Sequence, residues 1–249
     1  MPVSFAEATP RERLGALVEH FVEFLDPFER VSSPHLAAHG LVAQRDDGVV
    51  AGRGTIAGIT VGAVAIDGRF LGGSIGEIGG AKIAATLEGA PGGALIVFDT
   101  GGIRLQEANL GILAIAEICD AIVALRARAP VVAAIAGRVG CYGGMSLAAS
   151  LCSHIVMTEG ARFGLNGPDV VEQEAGAGEL DSRDRPTIWR LTGGARRVAQ
   201  GHADVLVSDD CDALALALRA AFDAPSQHAE RLSTTRLWAT FDAALGENV

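Results

Sequence analysis

Two segments carry the same order of features: an apolar run, two adjacent glycines, then a helical pattern. The first is LIVFDTGGIRLQEAN, with Gly101 and Gly102; the second is VVAAIAGRVGCYGGMSLAAS, with Gly143 and Gly144. Backbone N–H groups at a helix start have no intrahelical acceptor and carry the positive end of the helix dipole. Glycine there keeps a Cβ out of the path of an approaching atom. Two such ends converging on one point would bind an anion, or the oxygen of a carbonyl becoming an oxyanion. The donors in that scheme are the N–H groups of Gly101, Gly102 or Ile103 and of Gly143 or Gly144. The same glycines would also allow close helix–strand packing, and spacing alone leaves both readings open.

Other chemistries find no such footing. No GxxxxGK[ST] loop, dinucleotide fingerprint, GxSxG elbow or HExxH pair occurs, and the lone lysine, Lys82, follows no phosphate loop. The histidines His20, His35, His39, His154, His202 and His228 lack metal-ligand spacing, and Cys119, Cys141, Cys152 and Cys211 form no CxxC pair. No metal is therefore expected. A formal charge of -10 argues against nucleic acid or an anionic membrane as a partner. The longest apolar stretch, Asn109 to Leu125, contains Glu117 and Asp120, which are costly in lipid. Glu7 stands where an export signal would want a basic region, so a cytoplasmic protein is expected. A mean hydropathy of +0.31 points to apolar surface covered by another subunit.

The elements that must hold the glycines alternate strand and helix. Leu14, Leu17, Val18, Phe21, Val22 and Leu25 have helical spacing, which predicts a helix within Phe5 to Arg30 started by Thr9 and Pro10. Gly54 to Ala57 and Ile59 to Ile66 read as a hairpin turning at Gly58. Buried strands are predicted at Ala94 to Phe98, Val131 to Ala136, His154 to Met157 and Val205 to Val207. Helices follow from about Leu105 to Arg126, from the second glycine pair to Leu151, and from Cys211 to Phe222 behind Asp209 and Asp210. This alternation predicts a layered α/β domain over the 249 residues: an N-terminal helical segment (1–40), a core (41–222) and a C-terminal tail or helix (223–249). The polar, glycine-rich stretch Glu174 to Arg185 is the expected mobile loop.

Four longer segments, GGSIGEIGGAK (72–82), DTGGIRLQEAN (99–109), GCYGGMSLAASLC (140–152) and FGLNGPDVVEQEAG (163–176), resemble the carboxyltransferase branch of the crotonase superfamily. More narrowly, they resemble the β subunits of biotin-independent malonate decarboxylases, and the likeness extends from PFERVSSPHL to DSRDRPTIWRLTGG. The resemblance implies a crotonase-like ββα-superhelix fold with N-terminal and C-terminal helices. Hydratases of the superfamily use two glutamates; this chain has Ser146 at the first place and GPDVVEQ, with Asp169 and Glu172, around the second, so hydration is not implied.

The implied reaction converts malonyl-acyl-carrier protein to the acetyl form and CO2 through a thioester enolate. The carrier's arm is a dephospho-CoA-derived prosthetic group, an α subunit loads it with malonyl, and a γ subunit completes the site. Neither biotin nor a metal is implied. Beside the glycine N–H donors, Glu172, Glu174, Ser146 or an ordered water are candidates for delivering the proton. Gly73, Ser74, Lys82, Arg104, Gly167 and Pro168 are candidates for binding substrate. Arg104 would either steer an anion or pair with Glu107 on its own turn; Lys82 would either reach the carrier's phosphate or be an ordinary solvated side chain. Two alternatives stay open: the β half of a biotin-dependent acyl-CoA carboxyltransferase, and a non-catalytic scaffold for the carrier protein.

Overall fold

The first helix, α1 (Pro10–Leu17), begins with a capping box: Thr9 Oγ1 accepts from the Glu12 N–H at 3.2 Å, and Glu12 Oε2 accepts from the Thr9 N–H at 2.7 Å. In this computed structural model residues 4–24, 33, 37, 40 and 48–224 are described. The helix expected to run on toward Arg30 stops at Leu17, and β1 (Glu19–Glu23) follows. Pairing explains the difference. β1 lies antiparallel to β2 (Val49–Ile56), where Gly52 and Gly54 have no Cβ and let Val18, Phe21 and Val22 come close. A tertiary contact of that kind outweighs a 3.6-residue pattern. The rest of that expected helix, the PFERVSSPHL segment apart from Ser33, and the tail beyond Ala224 lie outside the described residues.

The predicted hairpin is present and longer than expected. β2 pairs antiparallel with β3 (Ile59–Ile66), and both turn residues have positive φ, 50° at Ala57 and 77° at Gly58. Such turns match the natural twist of paired strands. The chain continues through β4 (Ser74–Ile75), α2 (Glu77–Glu88), β5 (Ala94–Phe98), β6 (Gly102–Ile103) and α3 (Asn109–Arg126). Then come β7 (Val131–Ile135), α4 (Gly144–Leu151), β8 (His154–Thr158), α5 (Pro168–Ala175), α6 (Arg185–Thr192) and α7 (Gly194–Ala199). β9 (Val205–Val207) and α8 (Cys211–Asp223) complete the described elements, with Asp210 Oδ1 accepting from the Ala213 N–H at 2.9 Å as the cap.

The main sheet has the order β1-β2-β3-β5-β7-β8-β9 and is parallel from β3 onward. Its central strands are apolar throughout because both faces are covered. Ile96 and Phe98 face a core with Ile83, Leu87, Ile118, Ile122 and Met145 of α2, α3 and α4. Leu95 and Val97 face Leu14 and Leu17 of α1 and Leu218 and Phe222 of α8. An eight-residue helix such as α1 is marginal alone, so this burial holds it.

Beyond the carboxyl ends of the parallel strands lies a second, short layer of pairing. β4 pairs in parallel with β6, Thr100 bridges Cys141, and Cys141 bridges Phe163. The segments leaving β5, β7 and β8 are thus laid side by side, at the sheet end where open α/β folds place their ligands. A buried ion pair ties this layer to the N-terminus. Asp99 Oδ2 accepts from Arg13 Nη1 and Nη2 at 3.2 and 3.1 Å, while its Oδ1 accepts from the Val139 and Gly140 N–H groups at 2.9 and 3.4 Å.

Arg13→Met would leave Asp99 buried and without its cation, so urea unfolding is expected to show a loss of about 3–5 kcal/mol. A loss below about 1 kcal/mol, as for an exposed pair, would show that the pair does not hold the two segments together.

Candidate active site

Only the second glycine pair opens a helix. Gly143, with φ 60°, is the N-cap of α4 and Gly144 its first residue. Ser146 closes the turn, its Oγ donating to Gly143 O at 2.7 Å. The expectation of a helix start fails for the first pair: the chain after Gly101 forms β6 against β4, and α3 begins only at Asn109. The sequence pattern missed this because a two-residue strand leaves no periodicity.

The two pairs are nevertheless in direct contact. A Cβ on Gly102, whose φ is 111°, would lie 2.9 Å from Gly143 Cα, and one on Gly143 would lie 3.1 Å from Gly102 Cα. The positive φ and the close approach both favour glycine at these two places. Three of the five expected donors are already engaged. The Gly101 N–H donates to Gly72 O at 2.8 Å, Gly102 to Thr100 Oγ1 at 3.1 Å, and Gly143 to Leu165 O at 2.8 Å. That leaves Ile103 and Gly144. The Arg104 N–H donates to Ile75 O on β4 at 2.8 Å, so the Ile103 N–H, one residue back on the strand, faces away from β4. Gly144 is the first helical residue and has no intrahelical acceptor. A Cβ on Gly144 would touch the Ile103 side chain at 3.3 Å, so the two residues are neighbours, both half-buried.

Of the two roles open to Arg104, the structure shows the pairing with Glu107. The Arg104 side chain is 1% exposed, and Nη1 pairs with Glu107 Oε1 at 3.1 Å while Nη2 donates to Ser74 O at 2.7 Å. Glu107 Oε2 in turn accepts from the Glu77 N–H at 2.7 Å at the start of α2. Arg104 and Ser74 therefore pin this segment from within, the guanidinium engaged by Glu107 and the Ser74 carbonyl. Gly73 is packed against the Asp99 carbonyl, and its own carbonyl accepts from Thr100 Oγ1 at 2.6 Å. Lys82 donates to Val49 O beside β2, two residues around α2 from Gly80, which packs on Ala114 of α3. It is turned away from the glycine pairs. Gly167 is the N-cap of α5, and Pro168 lines a separate cavity of about 220 Å³ with Val171 and Ile188.

Of the candidate acids, one is engaged by another segment and one faces outward. Glu172 Oε2 accepts from the Ser182 N–H at 2.7 Å, and hydrogen bonding to Ser182 holds the carboxyl below its ordinary pKa. A group so held is ionised at neutral pH and is a poor proton donor. Glu174 is exposed on the last turn of α5. The stretch expected as a mobile loop thus begins inside α5 and ends at α6, and between them Glu172 binds Ser182 while Asp184 caps Thr187 at 3.2 Å. Asp99, two residues before the first pair, is the important residue that the motifs did not flag. Burial raises its pKa, against the pull of Arg13 and of the Val139 and Gly140 N–H groups.

Several apolar side chains on and just before α3 and on α4 are exposed. Leu105 is 82% exposed, and Ile112, Leu113, Val123 and Leu147 are each about half exposed along α3 and α4. Among the described residues no cluster of His, Cys, Asp and Glu could hold a metal, and no helix is long and apolar enough to cross a membrane.

Residues 6–247 match the carboxyl transferase domain, and the chain belongs to that family. It is a carboxyl-transferring or decarboxylating type of protein with a crotonase-like fold. A chain of the Pseudomonas malonate decarboxylase hetero-tetramer, solved in complex with malonate, is 50% identical with a TM-score of 0.89, covering 97% of this chain and 92% of that one. A chain of the Pseudomonas malonate decarboxylase MdcD-MdcE hetero-dimer is 43% identical with a TM-score of 0.76, covering 98% and 96%. The malonyl-S-ACP:biotin-protein carboxyltransferase MADC of Malonomonas rubra is 41% identical over 226 residues, 83% of this chain and 71% of the relative. The narrower likeness to malonate decarboxylase subunits therefore holds along nearly the whole chain.

Because the Glu172 pKa is lowered, its bond to Ser182 is complete above the unfolded-state pKa and is lost as pH falls through the folded one. The Ser182 amide resonance is expected to titrate with a midpoint below about 4.3, and the step to vanish in Glu172→Gln. A midpoint at or above that value, or a step unchanged in the variant, would contradict the assignment.

Proposed function

We propose that this chain is the β subunit of a biotin-independent malonate decarboxylase, acting on malonyl-acyl-carrier protein together with a γ subunit. The carrier's dephospho-CoA-derived arm presents the thioester, and an α subunit loads it. The observation that carries this reading is the Gly102–Gly143 contact, which leaves the Ile103 and Gly144 N–H groups as neighbouring donors. The apolar surface of Leu105, Ile112, Leu113 and Leu147 beside them suits a partner subunit.

In the proposed reaction the thioester oxygen accepts from the Ile103 and Gly144 N–H groups. The bond between the α-carbon and the carboxylate breaks, CO2 leaves, and the electron pair passes into the enolate. A proton from water then converts the α-carbon to a methyl group. Water is preferred as donor because Glu172 is ionised, Glu174 is exposed, and the Ser146 hydroxyl proton is given to Gly143 O. The N–H groups act on developing charge that the neutral CO2 does not share. Each such donor is worth about 2.7–4 kcal/mol of barrier. The partner would exclude water from the departing carboxylate.

The likeness to MADC, whose name includes a biotin protein, favours a second reading in which the carboxyl group passes to biotin. Release of CO2 from malonyl-carrier protein by this chain and its partner, with biotin omitted, separates the two. Biotin-free release that requires the partner is expected; release only with a biotin protein would establish the carboxyltransferase instead. Gly144→Pro removes one N–H at a helix position that tolerates proline, and kcat is expected to fall about 10²–10³-fold. Gly144→Ala, which adds a Cβ and keeps the N–H, is expected to retain most of the activity. Equal loss in both variants would deny Gly144 the donor role.

A further inference from the structure

Arg197 of α7 is a half-buried cation whose contacts are all neutral. Its Nε donates to Phe163 O at 2.6 Å, and Nη1 meets Gln200 Oε1 at 3.3 Å and His202 Nδ1 at 3.2 Å. Among the described residues no carboxylate pairs with it. The deeply buried Arg13 and Arg104 behave differently, each holding a carboxylate, Asp99 and Glu107 respectively. Burial holds the Arg197 pKa below its usual value, the expected result of a cation losing water without gaining an anion.

The guanidinium borders a cavity of about 340 Å³. Ser146 and Ser150, one turn apart on α4, line it, their hydroxyls donating to Gly143 O and Ser146 O, and Ile155, Phe163 and Leu165 supply apolar surface. A Cβ on Gly164 would stand 3.5 Å from Arg197 Nη2, so glycine keeps that edge of the guanidinium uncovered. The volume exceeds what a single ion needs and lies within the range of small-molecule pockets. We propose that this cavity binds a small organic anion, with Arg197 as its counter-charge and the apolar wall receiving the uncharged part. Carboxylates and phosphates share the paired oxygens that a guanidinium engages with two parallel hydrogen bonds.

Binding is read without turnover, so the outcome is independent of the decarboxylase reading. Malonate and inorganic phosphate are titrated separately into the full chain by calorimetry at constant ionic strength, with Arg197→Gln and Ser150→Leu alongside. Ser150→Leu fills the cavity and leaves the guanidinium in place, so it answers the question even where Arg197→Gln weakens the fold. Saturable binding of at least one anion, weakened tenfold or more in both variants, is the expected result. Binding of malonate identifies a carboxylate ligand, and binding of phosphate alone identifies a phosphate group. No saturable binding of either anion, or binding unchanged in Ser150→Leu, would overturn the proposal.

Discussion

Gly102 and Gly143 approach so closely that a Cβ on either would press on the other's Cα, and the arrangement of the candidate site depends on that approach. A side chain at either position would push the segments leaving β5 and β7 apart. The approach is braced from several sides. Thr100 donates its N–H to Gly140 O at 2.7 Å and accepts from the Tyr142 N–H at 2.9 Å, and Gly143 is tied to Leu165 O. Asp99 binds Arg13 on one side and the Val139 and Gly140 N–H groups on the other, so the N-terminal helix is fastened to both glycine segments. The site is therefore held by buried backbone hydrogen bonds and one ion pair, which fixes donor positions before any ligand arrives.

This construction assigns different work to similar residues. Of the glycine N–H groups, those of Gly101, Gly102 and Gly143 hold the backbone, and that of Gly144 stands at a helix start. Of the arginines, Arg13 and Arg104 neutralise internal carboxylates, whereas Arg197 borders a cavity among neutral partners. Residue type alone does not decide these roles; burial and the available acceptor do. The half-exposed apolar face on α3 and α4 gives a structural basis for the high mean hydropathy, since oily residues lie beside the site as well as in the core.

Much of the fold was legible in the sequence. Ala94–Phe98 and Val205–Val207 are the strands expected, and Asp210 caps the last helix as its spacing implied. These features are local, set by apolar runs and turn or cap residues. The contacts that sequence periodicity misread are non-local. The helix expected past Leu17 yields to pairing of β1 with β2, and the residues after Gly101 pair with Ser74 and Ile75 from another part of the chain. In the site, the glycine pairs were visible as a repeated pattern. The burial of Arg104, the turning of Glu172 to Ser182 and the isolation of Arg197 from carboxylates depend on partners 30, 10 or more residues away.

The central claim is that the Ile103 and Gly144 N–H groups polarise a thioester carbonyl. Isotope-edited infrared spectroscopy of acetyl-carrier protein labelled with ¹³C at the thioester carbonyl, bound to the chain with its partner subunit, tests it most directly. The account predicts a carbonyl stretch shifted to lower frequency on binding, with much of the shift lost in Gly144→Pro and retained in Gly144→Ala. A carbonyl stretch unchanged on binding, or a shift that survives Gly144→Pro intact, would contradict it.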